Sequence, residues 1–285
     1  MTILVLGASG QVATHLRELL PSAVYWGRQT FDLSEPSNLT AAIQALGPRL
    51  IVNAAAYTAV DKAESEASLA WRINAEAPAA AARAAAALDA ALVYISTDYV
   101  FDGLKPASYR VSDAFAPINV YGSSKLAGEL ATRTLCEKHW ILRTSWVFSE
   151  YGANFVKTIL RLARTNPTLR VVGDQHGRPT YAGDLARLIA GLGAGRALPY
   201  GTFHAVGGPA TTWHGFAEAI VTEAHREGLI ERRPEVIQIT TPEYPTPAQR
   251  PANSMLEPSA EIEAELDWPA GLRTVLVQLK TRGGT

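Results

Sequence analysis

The stretch INVYGSSKLAGE, Ile118 to Glu129, sets Tyr121 four residues before Lys125. On a helix such a pair shares one face, a turn apart. A phenol with a reference pKa of about 10 is a poor acid–base group near neutrality, and an adjacent ammonium favours its anion. Together the two side chains could exchange a proton with a carbonyl or alcohol oxygen while hydride moves to or from a nicotinamide. By spacing alone, a chance neighbourhood on a surface helix explains the pair better. The surrounding chain changes that balance. VYISTDYVFDG ends an expected strand with Ser96, Thr97 and Asp98, and doubly wound folds bind ligands beyond the carboxyl ends of their strands. Thr97 would hold the same reacting oxygen as Tyr121.

A cofactor site is written at the other end of the first half. Gly7-x-x-Gly10-x-x-Ala13 follows the first apolar run and opens a helical pattern. Gly7 allows a sharp turn, Gly10 lets the backbone approach a pyrophosphate, and helix N–H groups meet the negative charge. The spacing departs from G-x-G-x-x-G, so a glycine turn that serves packing alone is the competing reading; the strand–turn–helix setting favours the cofactor. The second strand ends in Trp26-Gly27-Arg28, with no carboxylate before Asp32. A carboxylate there would accept from an adenosine 2′-hydroxyl, whereas the Arg28 fork suits a 2′-phosphate, unless Arg28 is a solvated loop residue. NADPH is expected, with NADH the alternative. Asp32 stands where it can approach the adenine edge. In NAAAYTAVDKAE the small Ala54–Ala56 let backbone pass close to a ribose or nicotinamide, or simply tighten the sheet. Thr58 shapes that loop, and Asp61 and Glu64 read as helix-start and surface charges.

These residues need a frame. Short apolar runs at Ile3–Leu6, Val24–Trp26, Leu50–Asn53, Leu92–Ser96 and Trp140–Arg143 alternate with helical patterns near 11–20, 37–47, 65–88 and 120–138. Near-continuous apolar strands between helices imply an α/β, Rossmann-type doubly wound parallel sheet covered on both faces. After about residue 146 prolines and glycines become frequent, which implies a smaller, interleaved C-terminal substrate domain. We expect 1–146, with a helix returning near 181–195, to form the NAD(P)-binding region, and 147–180 with 196–285 to form the substrate region.

Composition bounds the partners. The 285 residues are 47% hydrophobic and 19% charged, with a net charge of -1. That describes a globular chain without the basic stripe a nucleic acid needs. The single Cys136, read as a half-buried helix residue, excludes an internal disulfide and fits a reducing compartment. MTILVLGASG reads as a strand entering a turn rather than a leader, and the alanine-rich run after residue 76 is interrupted by Arg83 and Asp89, so no membrane association and a cytoplasmic home are expected. The six histidines are scattered without metal-ligand spacing, so no metal is expected.

The glycine turn and Tyr-x-x-x-Lys together resemble the extended short-chain dehydrogenase/reductase superfamily. More narrowly, NAAAYTAVDKAE, STDYVFDG, YGSSKLAGE, RTSWVFS, GANFVKTIL, DQHGRPT, TTWHGFA and YPTPAQRPANS resemble the dTDP-4-dehydrorhamnose reductase family. The resemblance implies NADPH-dependent reduction of a dTDP-linked 4-keto-6-deoxyhexose. By position, it makes Tyr121 the proton donor, sets Lys125 on the nicotinamide ribose, and gives Thr97 a hydroxyl role often held by serine. Gln11, Val12, Asp32, Leu33, Ala56, Tyr57 and Thr58 fall on the family's cofactor-contacting stretches, and Asp98 and Trp146 on positions that meet the sugar nucleotide. Asn154 either hydrogen-bonds substrate or caps the next helix. Arg250, in a proline-rich loop, either clamps a diphosphate or anchors its loop through a salt bridge.

Thr212 reads as the cap of a helix beginning at Trp213 and His214, while His176 and Arg178 read as residues of a structural turn, with a place along the cleft as the alternative. Ala13 replaces the family's third glycine. His15 stands where a glutamate can occur beside magnesium at a subunit contact, so neither that ion nor that dimer is expected; the chain is a monomer or homodimer. A sister reductase making another 6-deoxyhexose, or a non-catalytic regulatory subunit of the same fold, are the alternatives. A dehydratase would carry Asp-Glu after Thr97, where this chain has Asp98-Tyr99.

Overall fold

Ile3–Leu6 and Leu50–Asn53 carry no charge and are buried at every position, as strands covered on both faces must be. The computed structural model describes residues 2–283. Its strands are β1 (Ile3–Leu6), β2 (Val24–Trp26), β3 (Leu50–Asn53), β4 (Ala91–Thr97), β5 (His139–Thr144), β6 (Val147–Phe148), β7 (Thr168–Val172), β8 (His176–Gly177), β9 (Thr180–Tyr181), β10 (Gly201–His204), β11 (Thr211–Thr212) and β12 (Glu235–Ile239). Its α-helices are α1 (Gln11–Leu19), α2 (Leu39–Leu46), α3 (Val60–Ala63), α4 (Ala67–Trp71), α5 (Ala77–Ala87), α6 (Val120–Leu135), α7 (Phe155–Thr165), α8 (Ala182–Gly193), α9 (Trp213–Arg226) and α10 (Trp268–Thr281). None of the described helices is long and apolar enough to cross a membrane.

Six strands form one parallel sheet in the order β10-β5-β4-β3-β1-β2. Val12 and Leu16 of α1 and Leu185 and Ile189 of α8 pack on one face, against Val5, Val52 and Trp140. Leu39 and Ile43 of α2 and the alanines of α5 cover the other, against Leu4, Ile51 and Leu92. A second core joins α7, α9 and α10 around the parallel pair β7–β12.

The returning helix expected at 181–195 is α8. Gly201–His204, expected in the second region, instead completes the main sheet beside β5; a four-residue edge strand starting in glycine carries too little apolar pattern to be recognised. The helix expected over 65–88 is interrupted by a π-helical turn at Arg72–Glu76. There the Tyr94 hydroxyl donates to the Asn74 carbonyl at 3.0 Å, drawing it from the regular ladder.

Behind the reacting end of the sheet lies a buried ion pair. Arg143, 1% exposed on β5, donates Nε and Nη2 to the Glu129 carboxylate of α6 at 2.8–3.1 Å. Its Nη1 donates to Val111 O at 3.2 Å and lies 3.3 Å from His204 Nε2. Phe115 and Phe101 sit 4.9 and 5.3 Å from the guanidinium carbon. Burial, then the Arg143 charge, push His204 down to about 4, so the imidazole is neutral in the fold.

Candidate active site

A cleft of about 1050 Å³ opens where the β1, β3, β4 and β5 strands end and loops of the second region face them. At its cofactor end, Gly7 adopts φ +100° and donates its N–H to Trp26 O at 2.8 Å. A Cβ there would meet Ala55 N at 3.1 Å and Ala54 C at 3.2 Å. Gly10 begins α1 in extended backbone with no side-chain cap and no acidic residue in the first turn. The first-turn N–H groups are therefore free for an anion, and the glycine-turn cradle fits a dinucleotide pyrophosphate. Gly7→Ala is expected to raise the NADPH Kd about tenfold or more and to destabilise the fold by ~1–3 kcal/mol through left-handed strain. Fluorescence titration and urea unfolding measure the two; near-wild-type binding would show that the turn is not needed.

Val12, Arg28, Asp32, Leu33, Ala56 and Thr58 line this end, as does Gln11. Gln11 carries a second duty, because Nε2 donates to Val147 O at 3.2 Å and Oε1 accepts from Ser149 and Asn154. Asp32 Oδ1 accepts from Ser34 N at 2.9 Å, which holds the carboxyl below its usual range. Tyr57 departs from expectation. Asn74 clamps its backbone, with Tyr57 N–H donating to Oδ1 at 2.8 Å and Nδ2 donating to Tyr57 O at 3.0 Å. The phenol donates to Glu66, 2.6 Å away, and lies outside the cleft lining.

At the reacting end Ser96, Thr97, Tyr121 and Lys125 all line the cleft. Asn119 caps α6 by accepting from Gly122 N at 2.8 Å, and Glu64, read as a surface charge, accepts from Val120 N at 2.9 Å. These fix the helix start that carries Tyr121. Thr97 Oγ1 donates to Asp98 Oδ1 at 2.9 Å and accepts from Tyr99 N at 3.2 Å. Lys125 Nζ donates to Ile95 O at 2.6 Å and stands 4.1 Å above the Tyr94 ring. Burial pushes Tyr121 up to about 12, opposed by hydrogen bonding with Thr97. It pushes Lys125 down to about 7, opposed by the Glu129 charge. Here the structure corrects a sequence expectation: desolvation, not a neighbouring ammonium, dominates the phenol. Asp98 is pushed up to about 6 by burial, against hydrogen bonds involving Ser254 and Thr97.

The far end is built from both regions. Trp146 and Trp213 line it, their rings stacked 3.6 Å apart at 10°. Thr212 caps α9, as the sequence indicates, by accepting from Gly215 N at 3.0 Å. The cap signal locates the helix start but not the direction of the first side chain, so Trp213 was missed as a cleft residue. Asn154 follows the capping alternative. Its Oδ1 accepts from Lys157 N at 3.2 Å, its Nδ2 is engaged by Gln11, Ser149 and Tyr151, and it does not line the cleft. Arg250 follows the salt-bridge alternative: Nη2 donates to Asp61 Oδ2 at 2.8 Å, while the buried Nη1 has no partner. Ser96 and Thr144 also bring buried, unpartnered hydroxyls to the cleft. Outside it, His15 Nε2 lies 3.5 Å from Glu150, and among the described residues no group of His, Cys, Asp or Glu is placed to hold a metal.

The family described as RmlD substrate binding domain matches residues 1–280. A dTDP-4-dehydrorhamnose reductase of Aggregatibacter actinomycetemcomitans is 41% identical, covering 96% of this chain and 97% of the relative. The chain belongs to the dTDP-4-dehydrorhamnose reductase family. A reductase of that name from Salmonella typhimurium is also 41% identical, over 99% of both chains. Among solved structures, the dTDP-4-dehydrorhamnose reductase of Clostridium acetobutylicum superposes with a TM-score of 0.90 at 34% identity, covering 98% of this chain and all 100% of that one. The Bacillus anthracis reductase, solved in complex with NADP, gives 0.89 at 36% identity, covering 97% and 99%. The likeness to this reductase family thus spans the sheet and the second region alike.

Proposed function

We infer that this chain is an NADPH-dependent dTDP-4-dehydrorhamnose reductase, converting the 4-keto group of dTDP-4-dehydro-L-rhamnose to the alcohol of dTDP-L-rhamnose. The observation that carries this is the meeting of Tyr121, Lys125 and Thr97 with the Gly7–Gly10 turn in one cleft, in a chain matched end to end by reductases of that name. NADPH, when bound, supplies the hydride. The raised pKa of Tyr121 keeps its phenol protonated near neutrality, the state a reduction needs in a proton donor. Thr97 holds the same reacting oxygen as Tyr121, and Lys125 meets the nicotinamide ribose. The α1 N-terminus receives the pyrophosphate and Arg28 the 2′-phosphate. Arg250 offers its open Nη1 to the substrate diphosphate, Asp98 adds a buried polar contact, and Trp146 meets the hexose.

On this reading 1–146 with α8 and β10 holds the cofactor and the remainder the substrate. The enzyme works in the cytoplasm, where sugar nucleotides and NADPH are made, as a monomer or homodimer. Purified protein should oxidise NADPH only when given the 4-keto sugar nucleotide, with NMR of the product showing the rhamno configuration. NADPH binding without turnover of any 4-keto sugar nucleotide would favour the non-catalytic regulatory reading; another C4 configuration would favour the sister reductase.

Lys125 adds a pH signature. Its folded pKa lies below the ordinary lysine value, at about 7, so its positive charge is lost as pH rises through that point. Because kcat/KM reports groups of the free enzyme, it should fall above about pH 7, and Lys125→Arg should move that limb upward. An unmoved limb in the variant would assign it to another group.

A further inference from the structure

Trp146 is a non-glycine residue at φ +48°, a conformation that costs ~1–3 kcal/mol and persists only where the surroundings enforce it. The enforcing contacts come from the second region. Ser145 Oγ donates to Arg178 O at 2.6 Å, and Trp146 O accepts from Thr180 N at 3.3 Å, zipping this segment to 178–180. Gly177 lies against the indole so closely that a Cβ would fall 2.5 Å from Trp146 Cε2 and Cζ2. In the β8–β11 ribbon Gly177 pairs with Thr211, two residues before Trp213, so one short ribbon delivers both the space for Trp146 and the ring that stacks on it. Phe155 of α7 supports Trp213 in turn, at 4.6 Å between ring centroids.

We propose that Trp213 and Gly177 are positioning residues that hold Trp146 as a fixed aromatic wall against the hexose of the substrate. The proposal rests on the reading of Trp146 as a sugar contact. The C–H face of a deoxyhexose is apolar and packs on an aromatic ring, while the hydroxyls of Thr97, Tyr121, Thr144 and Ser145 line the same cleft. Neither Trp213 nor Gly177 belongs to the glycine turn or the Tyr–Lys pair. Disturbing them should therefore affect sugar binding and leave cofactor binding intact.

Trp213→Ala should raise the KM for dTDP-4-dehydro-L-rhamnose about tenfold or more with a smaller change in kcat, while the NADPH Kd stays within about twofold of wild type. Trp213→Phe, which keeps a flat ring, should recover most of the loss. Gly177→Ala, which pushes the wall instead of unbracing it, should raise KM in the same direction. If Trp213→Ala fails to fold, Trp213→Leu takes its place, keeping apolar volume without the stack. An active wild type whose folded Trp213 and Gly177 variants keep a wild-type KM would overturn the proposal, as would a parallel rise in the NADPH Kd, which marks a general structural defect. A wild type inactive on every 4-keto sugar nucleotide would overturn the functional reading itself, and the proposal with it.

Discussion

Tyr121→Phe should lower kcat by about 10²–10⁴-fold, the usual contribution of a positioned acid, while the NADPH Kd remains within about twofold of wild type. The substitution removes one oxygen and leaves the ring that packs edge-on against Tyr99 at 5.7 Å, so the fold of α6 is preserved. What disappears is one of the two phenols, with that of Tyr99, that line the cleft among the described residues. Tyr99 is not an equivalent donor: burial first, then the Asp98 charge, raise its pKa further still. Removing a proton donor that acts in the transition state lowers kcat and kcat/KM together with little change in KM, and that is the pattern expected here. A variant retaining a tenth or more of wild-type kcat would remove the phenol from the reaction.

The second large effect is on stability. Glu129→Ala should cost ~3–5 kcal/mol in urea unfolding, since it strands a buried guanidinium without its carboxylate. Arg143 and Glu129 are 1% and 2% exposed, and Val111 O and His204 cannot neutralise the charge left behind. The paired change Glu129→Leu with Arg143→Met removes both charges and should recover much of that loss. A single variant within ~1 kcal/mol of wild type would mean that water reaches the pair. Glu129 also raises the Lys125 pKa from one turn further along α6, so the buried pair belongs electrostatically to the reacting centre as well as to the core.

What the sequence revealed follows from what is local. Tyr121-x-x-x-Lys125, the Gly7 turn and the strand ending at Thr97 are contiguous patterns whose positions in a doubly wound sheet follow from chain order, and the structure gathers them into one cleft. Contacts between distant segments were not legible in this way. Asp61 and Arg250 look like a helix-start charge and a loop arginine until the fold brings them within 2.8 Å. Trp213 looks like a helix start until the β8–β11 ribbon turns it onto Trp146. Tyr57 sat in the right stretch, but a residue far along the chain, Asn74, decides where its backbone is clamped. The upward pKa of Tyr121 is not legible in the sequence for a related reason. Proximity to lysine can be read from spacing, whereas burial depends on everything packed around the pair.

The central claim is that this cleft delivers hydride to C4 of a sugar nucleotide while Tyr121 supplies the proton. The most direct test incubates the wild-type protein with dTDP-4-dehydro-L-rhamnose and NADPH carrying deuterium at the transferable nicotinamide position, followed by NMR and mass analysis of the sugar. The predicted product is dTDP-L-rhamnose with a single deuterium on C4, formed at a rate that collapses in Tyr121→Phe. Unlabelled or unreduced sugar recovered alongside bound, unoxidised NADPH would contradict the account.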